Sequence, residues 1–315
     1  FFVEFLDEII KFDVPKSFLE GYKIFNNSIN HLSFNPKIII SSYHYNNERL
    51  KFWIAKKVNI DKSTFFQLQH GANNQQRFSA CHEIDAKTAD QRLVWSQPRE
   101  RNDIQMPSSK FMNLKKLNNK GLCLTYVEKP IFTFPKRINT DENYFINIKN
   151  IILLKKNLDQ SHFKNLIYAP SGSNYDVERK EVVKILGKNK IQKKQTLFKC
   201  IKFSKILICS YAETAFLECL LSGRPTILIN TYPRIPFNDV NEETHKELIK
   251  NNISFDNAKE AALHVNKIGN NPNLWWDSNG VQDAIENFKN KFCKIDENST
   301  DVWKNFLIRE LEKKF

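Results

Sequence analysis

Short apolar runs alternate with amphipathic stretches along most of this chain, the rhythm of β-α-β units whose parallel sheet is buried on both faces. Residues 36–42 read as a buried strand, and residues 47–57 as a helix with Leu50, Trp53 and Ile54 on its apolar face. Residues 63–68 are predicted as the next strand and Val94-Trp95-Ser96 as a further short one. Between 97 and 120 the pattern gives way to Pro, Ser, Asn and Lys without periodicity, which places an interdomain linker there. The rhythm then restarts, with strands predicted at 122–127, 166–169, 206–209 and 225–229 and helices at 144–158, 177–186 and about 213–221. Helices at 258–268, 282–292 and 302–315 close the chain, the last expected to reach back to the first lobe. The fold class is α/β. Two Rossmann-like lobes are expected, residues 1–115 with a thin, incomplete sheet and residues 116–315 with a full doubly wound parallel sheet and terminal helices.

Composition narrows the partners. With 315 residues, 41% hydrophobic and 26% charged, the chain is too apolar for a disordered protein and too long for one ordinary domain. Lys plus Arg number 48 against 35 Asp plus Glu, and the resulting +13 points to a phosphate-bearing partner: nucleic acid, an anionic membrane or a nucleotide-activated substrate. Arg-rich tracts and aromatic RNA-binding motifs are absent, which argues against nucleic acid. The six cysteines form no CxxC pair and several sit in apolar runs, as in proteins of a reducing cytoplasm. No apolar run approaches the roughly 18 residues of a membrane span, and the acidic start is unlike a secretory signal. A first residue of Phe1 and the thin first sheet lead us to expect a piece of a longer chain.

Two segments carry candidate chemistry. In the first, residues 206–229, a buried strand runs into Ser210, Glu213 and Thr214, and a helix follows that closes at Gly223. That arrangement aims the free amides and the positive end of a helix at an anion. Glu218 lies one turn beyond Thr214 on the same face, where a carboxylate would accept hydrogen bonds from a ribose diol. The same residues also fit a plain helix cap with a solvated carboxylate. In the second, Gln69-His70-Gly71-Ala72-Asn73-Asn74 follows the 63–68 strand, and Glu83, Asp85 and Asp90 lie downstream. His70 beside a glycine is placed to take a proton from an acceptor hydroxyl, and those carboxylates to orient it or act as the base. On spacing alone, an Asn- and Gly-stabilised turn with His70 and His82 as surface imidazoles is the simpler account. His44, Asn46 and Glu48 end the first strand, where loops are polar in any case. No His or Cys cluster has zinc spacing, and no GxSxG occurs.

Taken together, these blocks resemble a family of bacterial transferases of surface-carbohydrate biosynthesis related to GT-B glycosyltransferases. The likeness is carried by Gln69-His70-Gly71, His82-Glu83 and the 90–96 run Asp-Gln-Arg-Leu-Val-Trp-Ser. The 214–218 run Thr-Ala-Phe-Leu-Glu, Arg224-Pro225-Thr226-Ile227 and Trp275-Trp276 with residues 284–292 complete it. Departures exist: Ala72-Asn73-Asn74 replaces a second glycine, tyrosine and glycine, Ser96 replaces a glycine, and Ser171 to Tyr175 replaces an aromatic-glycine pair. The resemblance implies a metal-independent glycosyltransferase without a further cofactor, consistent with the lack of a DxD motif. Its nucleotide-sugar donor, an acidic sugar on CMP in one reading, would bind the C-terminal lobe. Its glycan or lipid-linked glycan acceptor would enter from the N-terminal one, with peripheral contact at the inner membrane. By this resemblance Ser210, Glu213 and Thr214 hold the phosphates, Glu218 the ribose, and Lys129 offsets the leaving charge, while His70 with Glu83 does acid-base work. A transferase or epimerase using another activated group such as CDP-glycerol, and a non-enzymatic basic module binding nucleic acid or membrane, are the alternatives.

Overall fold

A computed structural model describes residues 20–30, 34–42, 44, 47–72, 86–112, 114, 116–117, 121–128, 140–170, 176–192, 196–231, 239–269 and 271–314. They build two separate parallel sheets. In the first, β1 (Ile38–Ser41), β2 (Thr64–Leu68), β3 (Gln91–Val94) and β4 (Asp103–Gln105) lie side by side in chain order. Helices α1 (Tyr22–Asn30) and α2 (Glu48–Asn59) cover one face, where Ile29, Trp53 and Ile54 pack with Ile39 and Phe65. Asn47 caps α2 by accepting the Leu50 amide at 3.0 Å.

The second sheet joins β5 (Cys123–Val127), β6 (Leu166–Ala169), β7 (Ser204–Cys209), β8 (Thr226–Ile229) and β9 (Ser254–Phe255) in the order β6–β5–β7–β8–β9. Strict alternation buries both faces: Ile206 and Ile208 point to one core, Leu207 and Cys209 to the other. On the first face stand α3 (Thr140–Asn157), α5 (Asp176–Leu186) and α9 (Ala258–Ile268), with the short α4 (Gln160–Lys164) between the first two in sequence. On the second stand α6 (Leu197–Phe203), α7 (Thr214–Leu221), α8 (Asp239–Lys250), α10 (Pro272–Trp276) and α11 (Asn279–Phe292). This is the doubly wound domain expected of the second half.

Two sequence expectations need correction. Residues 97–120 are not a featureless linker, because β4 forms the edge of the first sheet, fixed by a buried Arg92–Asp103 ion pair at 3.4 Å. With Ile104 as its single apolar residue, such an edge strand has no alternation to detect. The strand expected at 94–96 lies at Gln91–Val94 instead, since a side chain, described below, takes the Trp95 and Ser96 amides. The last helix, α12 (Ser299–Glu312), reaches back to the first lobe as expected, and so stands outside the second lobe's layers. It covers the other face of the first sheet, with Phe306 against Phe66, Leu93 and Met106. Trp303 Nε1 donates to the Pro107 carbonyl at 3.0 Å. Before α12 the returning chain is sewn to the first lobe, the Lys294 amide donating to the Trp95 carbonyl at 2.6 Å and the Gln97 amide to the Lys291 carbonyl at 2.8 Å. Among the described residues no helix is long and apolar enough to cross a membrane.

Candidate active site

Counted within its lobe, the second sheet runs 2–1–3–4–5, so the strand order reverses between β5 and β7. Open parallel sheets bind ligands in the crevice at such a reversal, outside the carboxyl ends of the strands. There Ser210 follows β7, and both its amide and its hydroxyl donate to the Val127 carbonyl of β5, at 3.2 and 3.1 Å. Ser210 is wholly buried, so its hydroxyl holds the turn together rather than standing in the crevice. Glu213 is the N-cap residue of α7, in extended backbone and without a side-chain capping bond. Thr214 opens the helix, as expected. Six of the eight residues of α7 are buried in the core, which leaves Thr214 and Glu218, one turn apart, as its polar, partly open face.

The opposite wall comes from the first sheet. Beyond β2 the Gln69 side chain turns inward, its Oε1 accepting the Trp95 and Ser96 amides at 2.9 and 3.3 Å while its Nε2 donates to the Gly71 carbonyl at 2.8 Å. A buried amide side chain thus stands in for a strand neighbour and fixes the turn that carries His70. Two residues on, the Ala72 amide donates to Thr214 Oγ1 at 3.2 Å. Ala72 also packs into the core cluster that contains Tyr211 and Ala215. His70 is therefore held between two anchors, one in each lobe, and is itself exposed. Partial burial, with help from the Lys110 ammonium, keeps its pKa below the ordinary imidazole value, which favours the neutral ring at neutral pH. Burial moves the Glu218 carboxyl the other way, upward, and Lys110 opposes that shift. One wall thus offers a base and a cation, and the other a helix start and a carboxylate.

Residues 1–307 match the profile of the LIC12162 family transferases. The chain belongs to that family. No curated protein matches it in sequence. Among solved structures it is similar to a Listeria monocytogenes protein assigned as a UDP-N-acetylglucosamine 2-epimerase, with a TM-score of 0.59 at 10% identity over 92% of this chain and 79% of the other. It is similar also to S. aureus MnaA determined with UDP, with a TM-score of 0.54 at 11% identity over 92% and 78% of the two chains. At such identities the likeness concerns the fold, which is that of two facing parallel-sheet lobes of GT-B type.

In this LIC12162 family transferase the other candidate residues separate cleanly. Asp90 does not stand near His70: its Oδ2 accepts the Phe65 amide at 2.8 Å, at the opposite end of β2, roughly 16 Å away by strand rise. It ties two strand starts together. His44 is buried edge-on against Phe65, 4.9 Å between ring centroids, and hydrogen-bonded to Gln67, which makes it a core imidazole. Glu48 pairs with Lys51 at 2.6 Å on the surface of α2. Asn46, Asn73, Asn74, His82, Glu83, Asp85 and Lys129 lie outside the described residues, as do Ser171 to Tyr175. Arg224 is buried and donates to the Lys202 carbonyl at 3.2 Å, while Trp276 Nε1 donates to the Gly223 carbonyl at 3.0 Å. These two motif residues brace the far end of α7, where Gly223 takes a positive φ of 75°. Among the described residues no group of three or more His, Cys, Asp or Glu is placed to hold a metal ion.

Sequence reasoning missed Gln69 as a positioning residue, although a polar side chain at the end of an apolar strand beside a histidine was the available signal. It missed Lys110, which lay in the supposed linker. Glu128, buried at the carboxyl end of β5 and accepting the Tyr168 hydroxyl, was also overlooked.

Proposed function

We propose that this transferase moves a glycosyl group from a nucleotide-activated donor to an acceptor hydroxyl, with residues 116–315 holding the donor and residues 1–115 presenting the acceptor. The observation that carries the reading is the Ala72 to Thr214 hydrogen bond, because it brings the His70 turn to the helix start at the strand-order reversal. The amides opening α7 and the Thr214 hydroxyl hold the donor phosphates, with Glu213 shaping the entry. Glu218 accepts from the ribose diol. MnaA, of the same fold, was determined with UDP, which supports a nucleotide on this scaffold. His70 takes the proton of the acceptor hydroxyl as its oxygen bonds to the donor's anomeric carbon and the carbon–phosphate oxygen bond breaks. In this reading Glu83 orients His70 and Lys129 offsets the departing charge, and no metal is required. The acceptor is a surface glycan or lipid-linked glycan, met by peripheral contact with the inner membrane from the cytoplasmic side.

A thermal-stability screen with CMP, CDP, UMP, UDP and GDP tests the nucleotide. A ligand at 100 times its Kd adds about 2.7 kcal/mol of stability. The best nucleotide should lose affinity for Glu218→Gln while the variant keeps its fold, and equal affinity would remove the ribose assignment.

A further inference from the structure

We propose that Lys110 is the phosphate-binding cation of the cleft, set so that the donor phosphates lie between its ammonium and the start of α7. This rests on the nucleotide reading above and goes beyond it by naming the residue and the group it meets. Its placement follows from packing. Lys110 is exposed, and the next residue, Phe111, is buried in the core cluster that also holds Ala72, Tyr211 and Ala215. Those three neighbours flank His70 on one wall and Thr214 on the other. One apolar cluster therefore gathers the three turns that bear Lys110, His70 and Thr214.

The Lys110 turn is fixed from further sides. The Phe111 ring stands 5.7 Å from that of Trp95, whose amide is bound by Gln69. The Phe111 amide donates to the Ser108 carbonyl at 3.2 Å, and the Ser108 amide to the Lys294 carbonyl at 3.1 Å. The Lys110 Nζ lies 6.0 Å from the centroid of the Phe111 ring, so the side chain stays beside its anchor. From there its charge acts on Glu218 and on His70, groups on opposite walls.

The chemistry needs such a group. A nucleoside diphosphate entering beside Glu218 brings its charge next to a half-buried carboxylate, and the dipole of an eight-residue helix offers only about half a unit charge in return. A compact ammonium offsets the remainder, and it stabilises the leaving phosphate as the glycosidic bond breaks. Lys110 follows the edge strand of the first sheet, so it reaches the donor from the wall that carries His70.

The test uses the whole chain and the tightest-binding nucleotide of the panel above, with its nucleoside as control, by calorimetry and ligand-observed NMR. Lys110→Met keeps the alkyl stem and removes the charge, while Lys110→Arg keeps the charge. The expected result is a nucleotide affinity at least tenfold weaker in Lys110→Met, about 1.4 kcal/mol, with nucleoside affinity unchanged and most nucleotide affinity retained in Lys110→Arg. Unchanged nucleotide affinity in Lys110→Met overturns the inference, and so does an equal loss for nucleoside, which would mark a structural role. If no nucleotide of the panel binds the wild-type chain, the nucleotide reading fails and this inference with it.

Discussion

Replacing Gln69 by Leu removes three hydrogen-bonding partners from one buried point while nearly conserving volume. The Trp95 and Ser96 amides lose their acceptor, and the Gly71 carbonyl loses its donor. At about 1 kcal/mol for each buried backbone group left without its partner, the variant should be destabilised by about 3 kcal/mol, with little cavity contribution because Leu fills similar space. Urea denaturation followed by circular dichroism measures this as a lower midpoint with an unchanged slope. The site should feel it too. Freed of one of its two anchors, the His70 turn should sample several positions, so the His70 imidazole resonances in NMR should broaden or shift. A loss of less than 0.5 kcal/mol together with an unaltered His70 spectrum would refute the claim that Gln69 positions the base.

Two further outcomes are expected. His70→Ala should lower turnover by about 10²- to 10⁴-fold, the usual contribution of acid-base assistance, while donor affinity stays within about twofold; full turnover in a steady-state transfer assay would move the base elsewhere. Burial lowers His245 and His264 to a pKa of about 4 from 6.5. Their depressed folded-state values mean that the unfolded chain binds more protons between those limits, so stability should fall as pH drops from about 6.5 toward 4. Denaturation midpoints across that range should decline, and the slope should be shallower in His245→Gln.

Much of the second lobe was legible because its strands are long enough to alternate and its helices show apolar stripes. Residues 166–169 and 258–268 were located to the residue, and α7 to within one. The first sheet was harder. Its edge strand β4 has three residues and depends on a buried ion pair with Arg92, a tertiary interaction that local pattern does not express. The two-residue β9 and the seven-residue α6 were missed for the same reason of length. At the site, Thr214 and Glu218 were readable because a polar i, i+4 pair interrupts an otherwise apolar helix. Ser210 was read correctly as lying at the turn, yet its hydroxyl is engaged by Val127, 83 residues away in sequence. Asp90 looked close to His70 in sequence, but a strand's length separates them because in a parallel sheet the end of one strand and the start of the next lie on opposite rims.

The central claim is that one nucleotide-binding cleft lies between the His70 turn and the start of α7. Diffraction from crystals of the full chain grown with the tightest-binding nucleotide of the panel tests it most directly. The account predicts phosphate density within hydrogen-bonding distance of the first amides of α7 and Thr214, with the ribose at Glu218 and the His70 ring facing the terminal phosphate. A nucleotide seated elsewhere, with the face formed by Thr214 and Glu218 left to solvent, would contradict it.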